Sequence, residues 1–231
     1  MSAVPIVALD VADLAAALEI ADALGQSCRF YKVGSELFTA CGPKIVRELR
    51  AREADVFLDL KLHDIPNTVA GGLRGAAALG ARIVTVHAAG GEAMIRAAVQ
   101  TAAAAHACAV FAVTLLTSLD GSDVARIWGR SEPLDVGAEV VRLAGIAHSG
   151  GATGVVCSGR EARAVKARFG SSLEVLIPGI RLAGGQAHDQ SRTATPADAV
   201  AAGADYVVVG RAVTAAPDRV SAMREILSQL G

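Results

Sequence analysis

The feature that most constrains this chain is an eightfold alternation of short apolar runs with alanine-rich segments. Runs rich in Val, Ile and Leu recur at Ile6–Leu9, Phe30–Val33, Val56–Lys61, Ile83–His87, Ala109–Leu115, Gly154–Cys157, Val175–Ile177 and Tyr206–Val209. Their average spacing of about 29 residues is what a strand, a helix and two short connections require. The intervals read as helices at Val11–Leu24, Pro43–Arg52, Thr68–Leu79, Glu92–Ala105, Val136–His148, Arg160–Phe169, Pro196–Ala202 and Pro217–Leu230. Strands that are apolar throughout are buried on both faces, which implies a parallel sheet covered by helices. Eight repeats favour closure into a single-domain (β/α)8 barrel over residues 1–231, rather than an open doubly wound sheet. In such a barrel the two longest irregular segments, Ser118–Leu134 and Arg181–Thr195, follow strands five and seven. They therefore sit on the C-terminal face, where active sites are built.

Composition narrows the function classes. The chain carries 22 Lys plus Arg against 23 Asp plus Glu, a net charge of −1, without the clustered positive charge that a nucleic-acid surface needs. With 52% hydrophobic residues and no low-complexity tract, disorder is excluded. The mean hydropathy of +0.43 raises the question of a membrane span. The most apolar stretch, Ala97–Thr117, is long enough, but it contains Gln100, Thr101 and His106 and its bulk is alanine. It reads as a helix followed by a buried strand starting near Cys108. The start, Met1-Ser2-Ala3-Val4-Pro5, has no signal-peptide pattern, so a cytoplasmic location is expected. Cys28, Cys41, Cys108 and Cys157 form no C-x-x-C pair and are expected to be reduced, mostly buried small residues. Gly80-Ala81 and Gly203-Ala204 read as helix C-caps, and Pro66, Pro196 and Pro217 as first-turn helix prolines.

The chemistry concentrates in Phe57-Leu58-Asp59-Leu60-Lys61-Leu62-His63-Asp64-Ile65-Pro66-Asn67-Thr68. With a strand period of two, Asp59 and Lys61 share one face and Val56, Leu58 and Leu60 the other. If the apolar set meets the helices, Asp59 and Lys61 point into the barrel, where ionised groups are costly unless paired. With Asp64 they form an acid, ammonium, acid array that suits a general acid or a cation stabiliser. Asp10 after strand one is either a helix N-cap or a site residue. Lys32 is a lone charge inside an apolar strand. These five place three anions and two cations at one rim. Arg181, after Ile177-Pro178-Gly179-Ile180, and Arg211, after Gly210, end strands seven and eight, where barrels commonly bind phosphate.

Of the five histidines, His63 and His87 lie near strand ends, which raises the alternative of a metal site with Asp10 or Asp59. The absence of H-x-H or H-x-x-x-H spacing argues against it. His87 reads instead as a hydrogen-bonded residue of the upper barrel layer, and His106 and His148 as helix-end residues. Neither a P-loop nor a dinucleotide fingerprint occurs.

The element Asp59-x-Lys61-x-x-Asp64-Ile65-Pro66-Asn67-Thr68, with Leu9-Asp10, Lys32-Val33-Gly34, Leu116-Thr117-Ser118, Ile177-Pro178-Gly179-Ile180-Arg181 and Gly210-Arg211, resembles the orotidine 5′-monophosphate decarboxylase family over essentially the whole chain. The resemblance implies decarboxylation of a pyrimidine nucleotide with no cofactor and no metal. The counterpart of Lys61 protonates pyrimidine C6, within a charged network of Asp59, Asp64 and Lys32. Asp10 and Lys32 hold the ribose hydroxyls, Thr117 the pyrimidine edge, and Arg211 with the Gly210 amide the phosphate. Pro178 and Arg181 belong to the same wall, and Gln190, with Gln186 as competitor, reaches the phosphate from the loop spanning 182–195. A homodimer is implied too, with Asp64, Ile65 and Thr68 serving the partner's site. The alternatives are a magnesium-dependent sugar-phosphate decarboxylase or aldolase of a related barrel family, and a catalytically silent nucleotide-binding barrel.

Overall fold

A computed structural model describes residues 3–105, 108–182 and 194–231. The elements run β1 (Val4–Ala8), α1 (Leu14–Leu24), β2 (Phe30–Gly34), α2 (Ser35–Cys41), α3 (Lys44–Ala51), β3 (Asp55–Leu62), α4 (Pro66–Ala78), β4 (Ile83–His87), α5 (Gly91–Ala104), β5 (Ala109–Val113), α6 (Gly121–Ile127), α7 (Val136–Ser149), β6 (Gly154–Val156), α8 (Gly159–Phe169), β7 (Glu174–Ile180), α9 (Pro196–Ala201), β8 (Tyr206–Val209), α10 (Arg211–Thr214) and α11 (Arg219–Leu230). All eight strands are parallel, and β1 pairs with both β2 and β8, closing the barrel. The fold class expected from the alternation is the one found.

Strand alternation divides the core in two. Ile6, Ala8, Phe30, Phe57, Ile83, Phe111, Leu176 and Val208 fill the barrel interior. Their neighbours, such as Val7, Val56, Leu58, Val84, Val155 and Val207, pack outward against the helices. Gly154 opens β6 because any Cβ there would stand 2.4 Å from the Phe111 ring and 2.6 Å from the Glu174 carbonyl oxygen.

Two strands depart from regular pairing near their C-terminal ends. In β3, Leu58 faces Val84 and Leu62 faces Val86, so three residues of β3 stand opposite one of β4. In β7 the register shifts between Ile177 and Ile180, where Pro178 has no N–H for the ladder and Gly179 takes φ +77°. Such bulges re-aim side chains at a barrel rim.

Several boundaries differ from the sequence reading. Helix α1 begins three residues later than Val11, because Asp13 rather than Asp10 caps it, accepting from the Ala16 N–H at 2.9 Å. Pro217 precedes the α11 cap, Asp218, and is not in the first turn, whereas Pro66 and Pro196 are. Helices α2, α6 and α10 were not anticipated. The apolar stretch Ala97–Thr117 divides into the end of α5 and strand β5, and among the described residues no helix is long and apolar enough to cross a membrane. All four cysteines are free, Cys28 and Cys157 buried, Cys41 and Cys108 half-buried.

Candidate active site

Parallel strands deliver all their C-terminal ends to one face, and there a cavity of about 460 Å³ opens. Its charged side is built by β1, β2 and β3. Lys32 Nζ donates to Asp10 Oδ1 at 2.7 Å and lies 3.8 Å from Asp59 Oδ2. Lys61 Nζ donates to the same Asp59 oxygen at 2.7 Å. Asp10, freed from capping by Asp13, instead lines the cavity. Asp59 is nearly buried, so its charge is tolerable only because two ammoniums share it.

The local backbone explains how these groups meet. Lys61 adopts φ +51°, a left-handed conformation that costs a residue with a Cβ about 1–2 kcal/mol. This turn keeps Asp59 and Lys61 on the cavity side across the bulge. Gly34 ends β2 because a Cβ there would lie 2.9 Å from Lys32 Nζ and 3.6 Å from Asp10 Oδ1. A side chain at Gly34 would push the lysine off its aspartate.

The opposite wall comes from β7 and β8. Pro178, Gly179, Arg181, Gly210, Arg211 and Thr214 line it. Arg181 Nη1 donates to the Ile180 carbonyl oxygen at 2.9 Å, and Arg211 stands in the first turn of α10. Between the charged walls lie apolar groups from β5, β6 and the segment after β5: Val113, Leu115, Leu116 and Val156, with Thr117 as a polar neighbour. The cavity therefore has a cationic end, an apolar flank and a mixed-charge floor.

Of the candidates from sequence, Asp10, Lys32, Asp59, Lys61, Thr117, Pro178, Arg181, Gly210 and Arg211 all line this one cavity. Asp64, Ile65 and Thr68 do not. Asp64 is exposed, its Oδ1 accepting the Ile65 N–H at 2.6 Å, and the apolar Ile65 is 67% exposed. Gln190, Gln186, His106 and His188 lie outside the described residues. His63 and His87 pack ring against ring, centroids 5.3 Å apart. Burial, then the charges of His63 and Lys61, hold the His87 imidazole below its ordinary pKa. Among the described residues, no group of three or more His, Cys, Asp or Glu is placed to hold a metal ion.

Sequence reasoning missed Leu116, Gly179 and Thr214 in the lining, and Thr85 behind it. Thr85 had a signal: it is the one polar residue at an inward position within Ile83-Val84-Thr85-Val86.

Comparison with known proteins places this geometry in context. Residues 4–226 match the model of the orotidine 5′-phosphate decarboxylase / HUMPS family. The chain is 48% identical over 226 residues to an orotidine 5′-phosphate decarboxylase of Halorhodospira halophila, covering 97% of this chain and 94% of the relative. A relative of the same name from Anaeromyxobacter sp. (strain K) is 49% identical over 223 residues, covering 96% of each. Among solved structures, the orotidine 5′-phosphate decarboxylase of Lactobacillus acidophilus superposes with a TM-score of 0.88 at 34% identity over the full length of both chains.

Proposed function

The chain belongs to the orotidine 5′-phosphate decarboxylase / HUMPS family and is a carboxy-lyase of pyrimidine nucleotide biosynthesis; on that premise we propose that it converts orotidine 5′-monophosphate to uridine 5′-monophosphate and CO2 without a cofactor, Lys61 delivering the proton to C6. The observation that carries this reading is the convergence of Lys61 and Lys32 on one oxygen of the nearly buried Asp59.

In this reading the nucleotide lies across the cavity. Its phosphate meets Arg211, the Gly210 amide and Arg181 at the β7–β8 wall, where guanidinium and backbone donors suit a dianion. The ribose hydroxyls meet Asp10 and Lys32, and the pyrimidine rests against the apolar flank with Thr117 at its edge. C6 then stands beside Lys61 Nζ. When the C6–carboxylate bond breaks, CO2 leaves and the electron pair remains on C6. A proton moves from Lys61 Nζ to that pair, forming the C–H bond and leaving a neutral amine to be reprotonated from solvent. The balance closes without an oxidant or electron sink. A cation fixed in advance where negative charge develops needs no reorganisation at the moment of reaction, which is the main source of its catalytic value. Phosphate contacts remote from C6 supply binding energy that can drive closure and exclude water.

The same reading makes the protein a homodimer. Asp64, Ile65 and Thr68 stand outside their own cavity while the exposed Ile65 offers apolar surface, consistent with service to a neighbouring site, where Asp64 would complete the charged network. Gln190, which lies outside the described residues, is the further phosphate contact in this reading.

Ultraviolet monitoring of orotidine 5′-monophosphate with the purified protein, with and without excess EDTA, tests the proposal. Conversion to uridine 5′-monophosphate at a rate indifferent to chelator is expected. No turnover by folded protein would overturn it and redirect attention to magnesium-dependent chemistry on hexulose phosphates.

A further inference from the structure

Behind the cavity, the β3 bulge leaves Asp59, Leu60 and Lys61 opposite the single residue Thr85. One residue of β4 cannot serve three of β3 through its backbone alone, and the deficit falls at Lys61, whose backbone is turned to φ +51°. The Thr85 side chain makes it good. The Lys61 N–H donates to Thr85 Oγ1 at 2.9 Å, and Thr85 Oγ1 donates its own proton to Asp59 Oδ1 at 3.0 Å. An amide can only donate and a carboxylate can only accept, so the group between them must do both, and a hydroxyl does. Thr85 is 0% exposed and does not line the cavity; its hydroxyl bonds the Lys61 backbone and the Asp59 carboxylate.

Those bonds set the aim of both groups. With Oδ1 committed to Thr85, Asp59 presents Oδ2 to Lys61 and to Lys32 together. Without the hydroxyl, the carboxylate is free to turn so that each ammonium takes its own oxygen, and the Lys61 backbone loses the bond that holds its left-handed turn. Thr114 shows what an ordinary buried hydroxyl does in this barrel. It donates to the Val156 carbonyl oxygen at 2.8 Å and ties two strands together; no charged residue is involved.

We propose that Thr85 is a positioning residue for the decarboxylation, its single hydroxyl fixing the Lys61 backbone and the Asp59 carboxylate in the one arrangement that points the Lys61 ammonium into the cavity. The inference rests on the reading of Lys61 as proton donor.

The experiment compares Thr85→Val, Thr85→Ser and, as control, Thr114→Val with the wild type, measuring kcat and KM for orotidine 5′-monophosphate and the thermal midpoint of each. Thr85→Val is expected to lower kcat by about 10²-fold, the scale set by a misplacement of roughly 1 Å. KM should change little, because Thr85 does not touch the cavity. Thr85→Ser should recover most of the rate, and Thr114→Val should keep it even if its midpoint falls. Wild-type kcat in folded Thr85→Val, or equal impairment in Thr85→Ser, would overturn the positioning role. Should Thr85→Val fail to fold, Thr85→Ser against Thr85→Ala isolates the hydroxyl in the same way. A wild type with no turnover would instead overturn the proposed function, and this inference with it.

Discussion

Where the strands begin, Arg82 lies 5.2 Å over the Phe30 ring and pairs with Asp55, which also holds Arg50 at 3.1 Å; where they end, Lys32 and Lys61 converge on Asp59 at the floor of a cavity. Both ends of the barrel carry charge. At the first, charge closes the barrel: Tyr206 stands edge-on to Phe30 at 6.3 Å and to Phe111 at 5.6 Å, and the ion pairs cap these rings. At the second, Phe57 is the one aromatic ring among the described lining residues, two cations crowd one carboxylate, and a backbone strain is retained. A barrel can afford an end built against stability only because the other end and the helix layer hold it closed, and this separation suits a fold whose sites lie at the C-terminal face. The contrast predicts that mutations at one end change rate without stability and at the other stability without rate.

The largest effect is expected from Lys61→Ala. If Lys61 is the proton donor and the cation nearest C6, as proposed, its loss should lower turnover by at least about 10³-fold. The fold should persist with at most a modest fall in the thermal midpoint, because Lys32 and the Thr85 hydroxyl still serve the Asp59 carboxylate. Turnover like that of the wild type would break the assignment of this end to catalysis. Mixing Asp59→Ala with Asp64→Ala chains sharpens it next. Each alone should be inactive, but if Asp64 serves the neighbouring site, every hybrid dimer holds one site with neither lesion. Random exchange makes half the dimers hybrids, so about a quarter of wild-type activity should return. Well-folded mixed dimers without activity would place Asp64 outside the neighbour's site.

At the other end, Phe111→Ala should cost about 3–5 kcal/mol of stability, read by chemical denaturation. Phe111 is fully buried, and Gly154, kept small to admit the ring, has no side chain to fill the void. In the folded variant kcat should stay close to that of the wild type. A loss of rate larger than the loss of folded protein would show that the two ends are coupled.

Much of this division was legible in the chain. Alternation with period two placed Asp59 and Lys61 inward and Val56 and Leu58 outward, because burying both faces of a strand leaves charges few other places. Asp10, Lys32, Arg181 and Arg211 were legible as charges at the ends of apolar runs. What escaped depended on geometry that the local sequence marks weakly or not at all. The bulge in β3 follows from a left-handed lysine, a residue type that does not announce that conformation, so Thr85 was passed over. Helix α6 hid in the segment Ser118–Leu134, although the reciprocal Asp120 and Asp123 capping bonds had a readable D-x-x-D pattern. Helix α2 follows β2 at Gly34 without a loop, and α10 spans only Arg211–Thr214, too short for a period to show. Asp64, Ile65 and Thr68 could be assigned from the motif but not located by one chain, since the site proposed for them belongs to a second copy.

The smallest effect is expected at His87, the last residue of β4. Its imidazole is held below the ordinary value by burial first, then by His63 and Lys61, with Asp59 opposing. The unfolded chain, whose histidines titrate near ~6.5, therefore binds a proton more readily than the folded protein does. Stability rises with pH wherever the unfolded state binds more protons. The contribution of His87 is thus fully present above the ordinary histidine range and is lost as pH falls through that range toward the lower folded value. Urea midpoints measured on both sides of the range should be lower on the acid side for the wild type, and His87→Asn should flatten that dependence. A pH dependence of stability equal in variant and wild type would show that the acid sensitivity belongs to other histidines.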